Sequence, residues 1–462
     1  PLHLKSLGHD VRIVTPFYRL IPEKHNTSTI IPSLGVPMGS EEIWCAIRQK
    51  DLEGNVAGKN ISVPVYFVEH EHHFFRYGYY GDGSQAYPDN ASRFGFFSKA
   101  VLQICRSLDW EPDIFHSNDW HTALIPFYLK QAQLETNDFK NSRSVLTIHN
   151  AGYQGGAPGT FRHSLGIPLE NFVLEMFEDH GHLNLLKGGI NFADQVNTVS
   201  PGYAEEMRTP LGSHGLHETY LRKGKNFSGI LNGCDYDEWN PETDPYLPAN
   251  FSAKNLAGKK QCKQELQRLF GLPESASIPL IGMVSRLTMQ KGFDYLMPAM
   301  LEILRIDLQV VVLGSGETWI ANAFDKLQQE FPTKLGWYNG YNNDLAHMIE
   351  AGSDMFLMPS LYEPCGLNQI YSLRYGTLPI VRRVGGLKDT VMQYEESEGK
   401  GSGFILNDPT PEAVSNTVGW AVQTYYERPS HFCKMVAFAM KQRFTWKTAA
   451  EKYVALYRKN LS

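Results

Sequence analysis

Four short polar clusters, each placed directly after an apolar run, hold most of the side chains in this chain that could do chemistry. Ser117-Asn118-Asp119-Trp120-His121 follows Ile114–His116, and His149-Asn150-Ala151-Gly152-Tyr153-Gln154-Gly155 follows Val145–Ile148. Farther on, Ser285-Arg286-Leu287-Thr288-Met289-Gln290-Lys291-Gly292 follows Leu280–Val284, and PSLYEPCGLNQ (Pro359–Gln369) follows Met355–Met358. Arg286 and Lys291 leave one strand end within a short turn, so they can converge on a single anion such as a diphosphate. Each cation about 4 Å from a phosphate gains roughly 4 kcal/mol at an effective dielectric near 20, before desolvation. An exposed pair neutralised by Asp or Glu accounts for the spacing equally well. Gly366-Leu367-Asn368-Gln369 opens a helical pattern (Ile370, Leu373, Arg374), and its free N–H groups and dipole form an anion site, with Pro364 fixing the turn. Glu363, just before that helix start, would repel a phosphate unless it faces a sugar hydroxyl or a developing positive charge. Capping the helix is its plainer role.

Other groupings carry less. Gly314-Ser315-Gly316 follows a strand, but Trp319 occupies the third position of the dinucleotide fingerprint, which removes support for nicotinamide chemistry. Glu69-His70-Glu71-His72-His73 suggests a metal, yet lacks the H-E-x-x-H spacing, and reads as a mobile loop. Gly385-Gly386 has no G-K-[ST] after it and is not a P-loop.

The elements that must position these clusters are strands alternating with helices. Apolar runs recur at Val11–Val14, Ile114–His116, Val145–Ile148, Gln195–Val199, Leu280–Val284, Val310–Leu313, Met355–Met358 and Leu378–Val381, with helix-length amphipathic segments such as Arg93–Arg106 and Ala123–Gln133 between them. This alternation predicts parallel sheets covered by helices, with ligands bound beyond the strand carboxyl ends. At 462 residues the chain is long enough for two domains. Asn240–Leu256 (NPETDPYLPANFSAKNL) interrupts the alternation and reads as a linker, with a helix over Lys259–Phe270 starting the second half. The expected division is 1–257, 258–435 and a terminal helical segment 436–462 free to dock back on the first domain. Both halves supply polar clusters, which places the site in a cleft between them.

Composition excludes several classes. A net charge of −6 disfavours nucleic acid or an anionic membrane as partner and suits a neutral polymer. Aromatic residues at 12% suit sugar stacking as well as a large core. Six cysteines without a C-x-x-C pair form no disulfide framework and point to a reducing compartment. No apolar run is long enough to span a bilayer.

The clusters, taken together and in order, resemble the bacterial glycogen synthase and plant starch synthase family, including the granule-bound type. The resemblance rests on SNDWHTALIPFYLK (Ser117–Lys130), TIHNAGYQG (Thr147–Gly155), KGGINFADQVNTVSPGYAEEM (Lys187–Met207), GILNGCDYDEWNPETD (Gly229–Asp244), SRLTMQKG (Ser285–Gly292), PSLYEPCGLNQ (Pro359–Gln369) and RYGTLPIVRRVGGLKDTV (Arg374–Val391). It implies a retaining glucosyltransferase of the glycosyltransferase B fold: two Rossmann-like, doubly wound parallel-sheet α/β domains facing a central cleft. It implies transfer of glucose from ADP-glucose to the non-reducing end of an α-1,4-glucan (glycogen, amylose or amylopectin), in bacterial cytoplasm or in plastid stroma or on a starch granule. Arg286 and Lys291 would hold the ADP diphosphate and steady it as it leaves, Glu363 and His149 would lie beside the transferred glucose, and Gly366, Leu367 and Asn368 would present groups to phosphate or sugar. Tyr341 would stack near the adenine, and Asp119, Asn150 and Asn232 would line the sugar and acceptor site.

No metal or other cofactor is expected, because Arg286 and Lys291 do the neutralising. The family's Lys-Thr-Gly-Gly-Leu-type loop is expected ahead of Pro1, making the first domain truncated at its start, and Asn368 stands where relatives often carry Thr. A glucan-binding scaffold without catalysis is the alternative that the absent loop favours. A retaining glycosidase pairing Asp119 with Glu363 and a pyridoxal-dependent glucan phosphorylase are further rivals, the latter without a motif for its lysine.

Overall fold

In the computed structural model, which describes residues 1–21, 25–83 and 85–461, the apolar runs form parallel strands, and those at Val145–Ile148, Gln195–Thr198, Leu280–Met283, Val310–Leu313, Met355–Met358 and Leu378–Val381 are buried along their whole length, so no polar residue needs to alternate along them. The chain divides into two compact units. One comprises Pro1–Val199, Ala204–Ile230 and Lys447–Ser462, the other Ser200–Tyr203 and Leu231–Trp446.

The second unit is a six-stranded parallel sheet in the order Leu335–Asn339, Gln309–Gly316, Leu280–Leu287, Met355–Met358, Leu378–Arg382, Phe404–Leu406. The chain moves outward in one direction from Leu280–Leu287 and in the other from Met355–Met358. Their junction is therefore the topological switch point, where the turns part and leave a crevice. Helices cover the sheet in the way their sequences dictate. Pro411–Glu427 starts with Pro411 in its first turn, the Thr410 hydroxyl accepts from the Ala413 N–H at 3.2 Å, and Val414, Val418, Ala421 and Val422 form its buried stripe.

The segment Asn240–Leu256 is not a loose linker. It belongs to the second unit and straps down the helix Asn368–Tyr375. Trp239 lies between the rings of His347 and Tyr371, each centroid 3.8 Å away. The buried Asp244 carboxylate accepts from His347 Nδ1 at 2.8 Å and from the Tyr375 hydroxyl at 2.5 Å. Burial opposes ionisation of Asp244, but these bonds outweigh it and hold its carboxyl below the ordinary range. Arg374 binds Asn240 and Glu242. The polar composition that suggests a linker thus serves buried partners, and residues 231–257, Asn232 among them, fall with the second unit rather than the first.

In the first unit, strands Phe227–Gly229, Gln195–Thr198, Arg143–Ile148 and Ile114–Asn118 form a parallel sheet in that order. A further sheet pairs Ile13–Pro16 in parallel with Lys59–Glu69, which continues antiparallel into Glu41–Val56 and Ser28–Met38. The long antiparallel strands are absent from the sequence-based expectation because Ser28–Met38 has no long apolar run and the runs Ile43–Ile47 and Val63–Val68 cover only part of strands whose remaining residues are polar and largely exposed. The helix Trp446–Leu461 packs on the parallel sheet: Tyr457 and Thr147 hydroxyls lie 2.7 and 2.6 Å from the two ring nitrogens of His116, and Asn460 donates to the Ser144 carbonyl at 3.1 Å. Among the described residues no helix is long and apolar enough to cross a membrane, and all six cysteines carry free thiols.

Burial pushes His116 down to about 4. Because its folded value lies below the ordinary His value, it contributes stability that is present above about pH 6.5 and is lost as pH falls toward 4. Urea titration of the wild type should show about 2 kcal/mol less stability at pH 5 than at pH 7 from this group. The difference should shrink in His116→Asn, and an equal pH slope in that variant would remove His116 as its source.

Candidate active site

At the switch point of the second unit a cavity of about 280 Å³ is lined by Arg286, Lys291, Tyr341, Glu363 and the Gly366–Asn368 turn, with Ser315 and Ser360 beside them. Strand Leu280–Leu287 delivers Arg286 at its end, and the following turn Met289–Lys291 delivers Lys291. Strand Met355–Met358 delivers the loop that carries Ser360 and Glu363. The sequence-predicted donor residues are therefore brought together in one cavity.

The closest interaction is an ion pair, Lys291 Nζ to Glu363 Oε2 at 2.6 Å, with the Glu363 side chain 8% exposed and that of Lys291 18%. The buried Ser360 hydroxyl donates to the same carboxylate oxygen at 3.0 Å. Arg286 is exposed and has no side-chain hydrogen bond or ion pair among the described residues. The exposed-pair alternative for these two cations is thus answered: one is free, and the partner of the other belongs to the cavity itself. Glu363 does not cap the helix, which has no side-chain cap. The amides of Gly366, Leu367 and Asn368 donate to no protein acceptor among the described residues, and Gly366 is left-handed at φ 68°. Asn368 Nδ2 donates to the Val284 carbonyl at 2.8 Å, tying the helix start to the strand that carries Arg286. Tyr341 is 78% exposed at the edge of the cavity, with its ring in no aromatic pair among the described residues.

Two glycines let the loops approach. Gly292 has φ 80°, and a Cβ there would sit 1.9 Å from the Pro359 carbonyl oxygen. Gly385 has φ 41°, and a Cβ would meet the Glu363 carbonyl oxygen at 1.9 Å. Cross-links then hold the approach: Leu361 N–H to the Gln290 carbonyl at 2.9 Å, Gly386 N–H to the Glu363 carbonyl at 3.0 Å, and the Tyr295 hydroxyl to the Pro359 carbonyl. Buried Gln369 donates to the Cys365 and Gly366 carbonyls and to Thr390. Ser360 as the partner of Glu363, and Gln369 as the pin of the turn, escape sequence reasoning. Their only sign is position, directly after a strand and inside the first helical turn.

Asn232 lies in the second unit, with its backbone N–H on the Cys365 sulfur, and it is not among the residues lining the cavity. In the first unit, Asp119 Oδ1 accepts from the His149 N–H at 2.7 Å and more distantly from the Asn150 N–H at 3.5 Å, while His149 Nε2 lies 3.0 Å from Asn118 Oδ1. Asp119 has φ 55° and ψ −176°, a conformation costly for any residue but glycine. Burial raises its carboxyl above the usual range, against the opposing pull of the His149 charge and N–H groups. Asp119, His149 and Asn150 are one assembly at two adjacent strand ends. The histidine-rich stretch contains a helical turn, Glu71–Phe74, in place of the expected loop. His72, His73 and Asp89 place ligand atoms within 4.8 Å of one another, but both Asp89 oxygens are held by Arg76 at 2.8 and 2.6 Å.

Residues 1–222 match the model of the starch synthase catalytic domain and residues 270–433 that of glycosyl transferases group 1. Glycogen synthase 1 of Geobacter sulfurreducens is 45% identical over 459 residues, covering 99% of this chain and 90% of its own length. Glycogen synthase of Photobacterium profundum is 44% identical over 463 residues, covering 99% of this chain and 89% of its own. The chain belongs to the glycogen and starch synthase family. It is a glycosyltransferase, and its two α/β units have the glycosyltransferase B fold. The catalytic domain of starch synthase IV from Arabidopsis thaliana, bound to ADP and acarbose, superposes with a TM-score of 0.87 at 32% identity, covering 99% of this chain and 93% of that one. Sucrose-phosphate synthase from Thermosynechococcus elongatus, at 16% identity and a TM-score of 0.57, shares the fold.

Gly292→Ala forces the Lys291 turn away from Pro359, and a misplacement near 1 Å costs about 100-fold in rate. Transferase kcat/KM should fall by that order while the far-UV circular dichroism stays native, and retained activity would show that the close approach does not matter.

Proposed function

We propose that the protein transfers glucose from ADP-glucose to the non-reducing end of an α-1,4-glucan with retention of configuration. The observation that carries this reading is the cavity at the switch point, with Arg286 unpaired and Lys291 held against Glu363. Two cations and the free amides of Gly366–Asn368 suit a diphosphate, and the exposed Tyr341 ring suits stacking on adenine. The starch synthase IV match, bound to ADP and acarbose, supports a nucleotide and a glucan-like sugar as ligands.

In the proposed reaction the bond between glucose C1 and the diphosphate oxygen breaks first, and its electron pair leaves with ADP. Lys291 turns from Glu363 toward the phosphates, and with Arg286 it stabilises the charge that develops there. Glu363, kept in place by Ser360, then faces the electron-poor sugar or one of its hydroxyls. The acceptor hydroxyl enters on the face the leaving group vacates and gives its proton to the departing phosphate oxygen, so no separate base is required. His149, Asp119 and Asn150 serve the sugar and the acceptor. Neutralisation by side chains makes the transfer metal-independent.

A hydrolase is less well supported. Glu363 is the only carboxylate lining the cavity among the described residues, and Ser360 and Lys291 both donate to its Oε2. Paired-carboxylate hydrolysis needs a second acid across the same sugar.

Arg286→Ala and Lys291→Ala should each lower kcat by about two to three orders of magnitude, the weight of one lost charge contact at about 3–4 kcal/mol. Incorporation of labelled glucose from ADP-glucose into glycogen measures this, and a raised KM with unchanged kcat would restrict these residues to binding. Chelation with EDTA should leave the rate unchanged. Abolished transfer would overturn the metal-free mechanism.

A further inference from the structure

A second concavity, about 470 Å³, lies on the second unit along the outer edge of strand Leu335–Asn339, the first strand in the sheet order, where the helix Thr318–Glu330 passes it. It is lined by Asp325, Gln328, Gln329, Pro332, Trp337 and Asn339. Trp337 is half-buried and rigidly set: its ring packs on Phe324 with centroids 4.9 Å apart, and its indole N–H donates to Asp325 Oδ1 at 3.1 Å. The Trp337 backbone N–H donates to Gln328 Oε1 at 3.0 Å, so the amide of Gln328 has its nitrogen left to donate.

We propose that this groove is a second α-glucan binding site, which holds the polymer to the enzyme away from the cavity containing Arg286 and Lys291. The proposal rests on the glucan reading given under Proposed function.

The chemistry of the lining selects the ligand. A glucan is neutral, and each ring presents an apolar C–H face and a rim of hydroxyls. Trp337 and Pro332 supply the apolar floor, the Asp325 carboxylate accepts from hydroxyls, and the amides of Gln328, Gln329 and Asn339 both donate to and accept from them. Among the described residues no Lys or Arg lines the groove, so an anionic ligand such as a nucleotide or nucleic acid has no counter-charge there. Gln328 covers the edge-strand N–H at Trp337, which obstructs addition of a peptide strand. The volume falls in the range of small-molecule sites, and fixing the indole beforehand lowers the ordering cost of binding.

Native gel electrophoresis with glycogen cast in the gel tests the site, alongside kinetics with glycogen and with a short maltooligosaccharide as acceptors. Trp337→Ala should weaken retention by glycogen about tenfold, the weight of one lost aromatic contact, and raise KM for glycogen. kcat and KM for the short acceptor should stay at wild-type values. Because Trp337 also packs on Phe324, the exposed double variant Asp325→Ala/Gln329→Ala provides the same test without opening the core, and it should weaken retention in the same direction. Unchanged retention in the folded double variant, or equal losses with both acceptors, overturns the second site. If the wild type incorporated no glucose from ADP-glucose, the proposed reaction would fail, whereas the gel retention would still decide whether the groove binds glucan.

Discussion

The second unit is organised around one short ion pair, Lys291 with Glu363, formed across the point where the strand order reverses. A mostly buried carboxylate needs a partner, because an isolated buried charge costs several kcal/mol. Lys291 and Ser360 meet that need. A second cation, Arg286, lines the same cavity. Two cations against one carboxylate leave the cavity with positive charge to spare.

That pair requires two loops from adjacent strands to touch, and the rest of the unit serves this requirement. The backbone of Gly292 passes against Pro359 and that of Gly385 against Glu363, closer than any side chain permits. Behind them, the helix Asn368–Tyr375 is fixed from the side away from the cavity. Trp239 stacks on Tyr371, Asp244 holds Tyr375, and Ser372 donates to the fully buried Glu350 at 2.6 Å. Burial raises Glu350 well above the usual carboxyl range despite that bond and the nearby Lys259 charge. The site is therefore set by backbone contacts and rigid rings rather than by flexible side chains, which is the kind of support that fixed electrostatic groups need.

Much of this is legible in the amino-acid sequence. The rule that ligands gather beyond the carboxyl ends of parallel strands singled out Arg286, Lys291, Glu363 and the Gly366–Asn368 turn, and the structure gathers them in one cavity. What escaped depends on which elements are neighbours. The contact of Gly292 with Pro359 spans strands that are far apart in sequence, and Ser360 gains meaning only once Glu363 is seen to turn back on it. The stretch Asn240–Leu256 looks like a linker because polar residues and prolines mark loops. Only the fold shows that Asp244 and Asn240 have buried partners, and that Asn232 belongs beside Cys365. The strands Ser28–Met38 and Glu41–Val56 escape sequence reasoning because most of this half-exposed antiparallel ribbon is polar, and the apolar run Ile43–Ile47 marks only part of one strand.

The strain at Asp119 has the same logic in the first unit. A positive φ at a non-glycine residue persists only where surrounding bonds over-determine it, and here the Asp119 carboxylate accepts from two successive N–H groups while its own N–H donates to the Thr147 carbonyl at 2.8 Å. These bonds fix the backbone of His149 and Asn150, and Asn118 orients the His149 ring. Glycine at position 119 would relieve the strain but lose the carboxylate that organises the turn. The sequence therefore accepts a local conformational cost to keep an acidic side chain at this strand end. That carboxylate fixes two successive backbone groups at the adjacent strand end, which a glycine has no side chain to do.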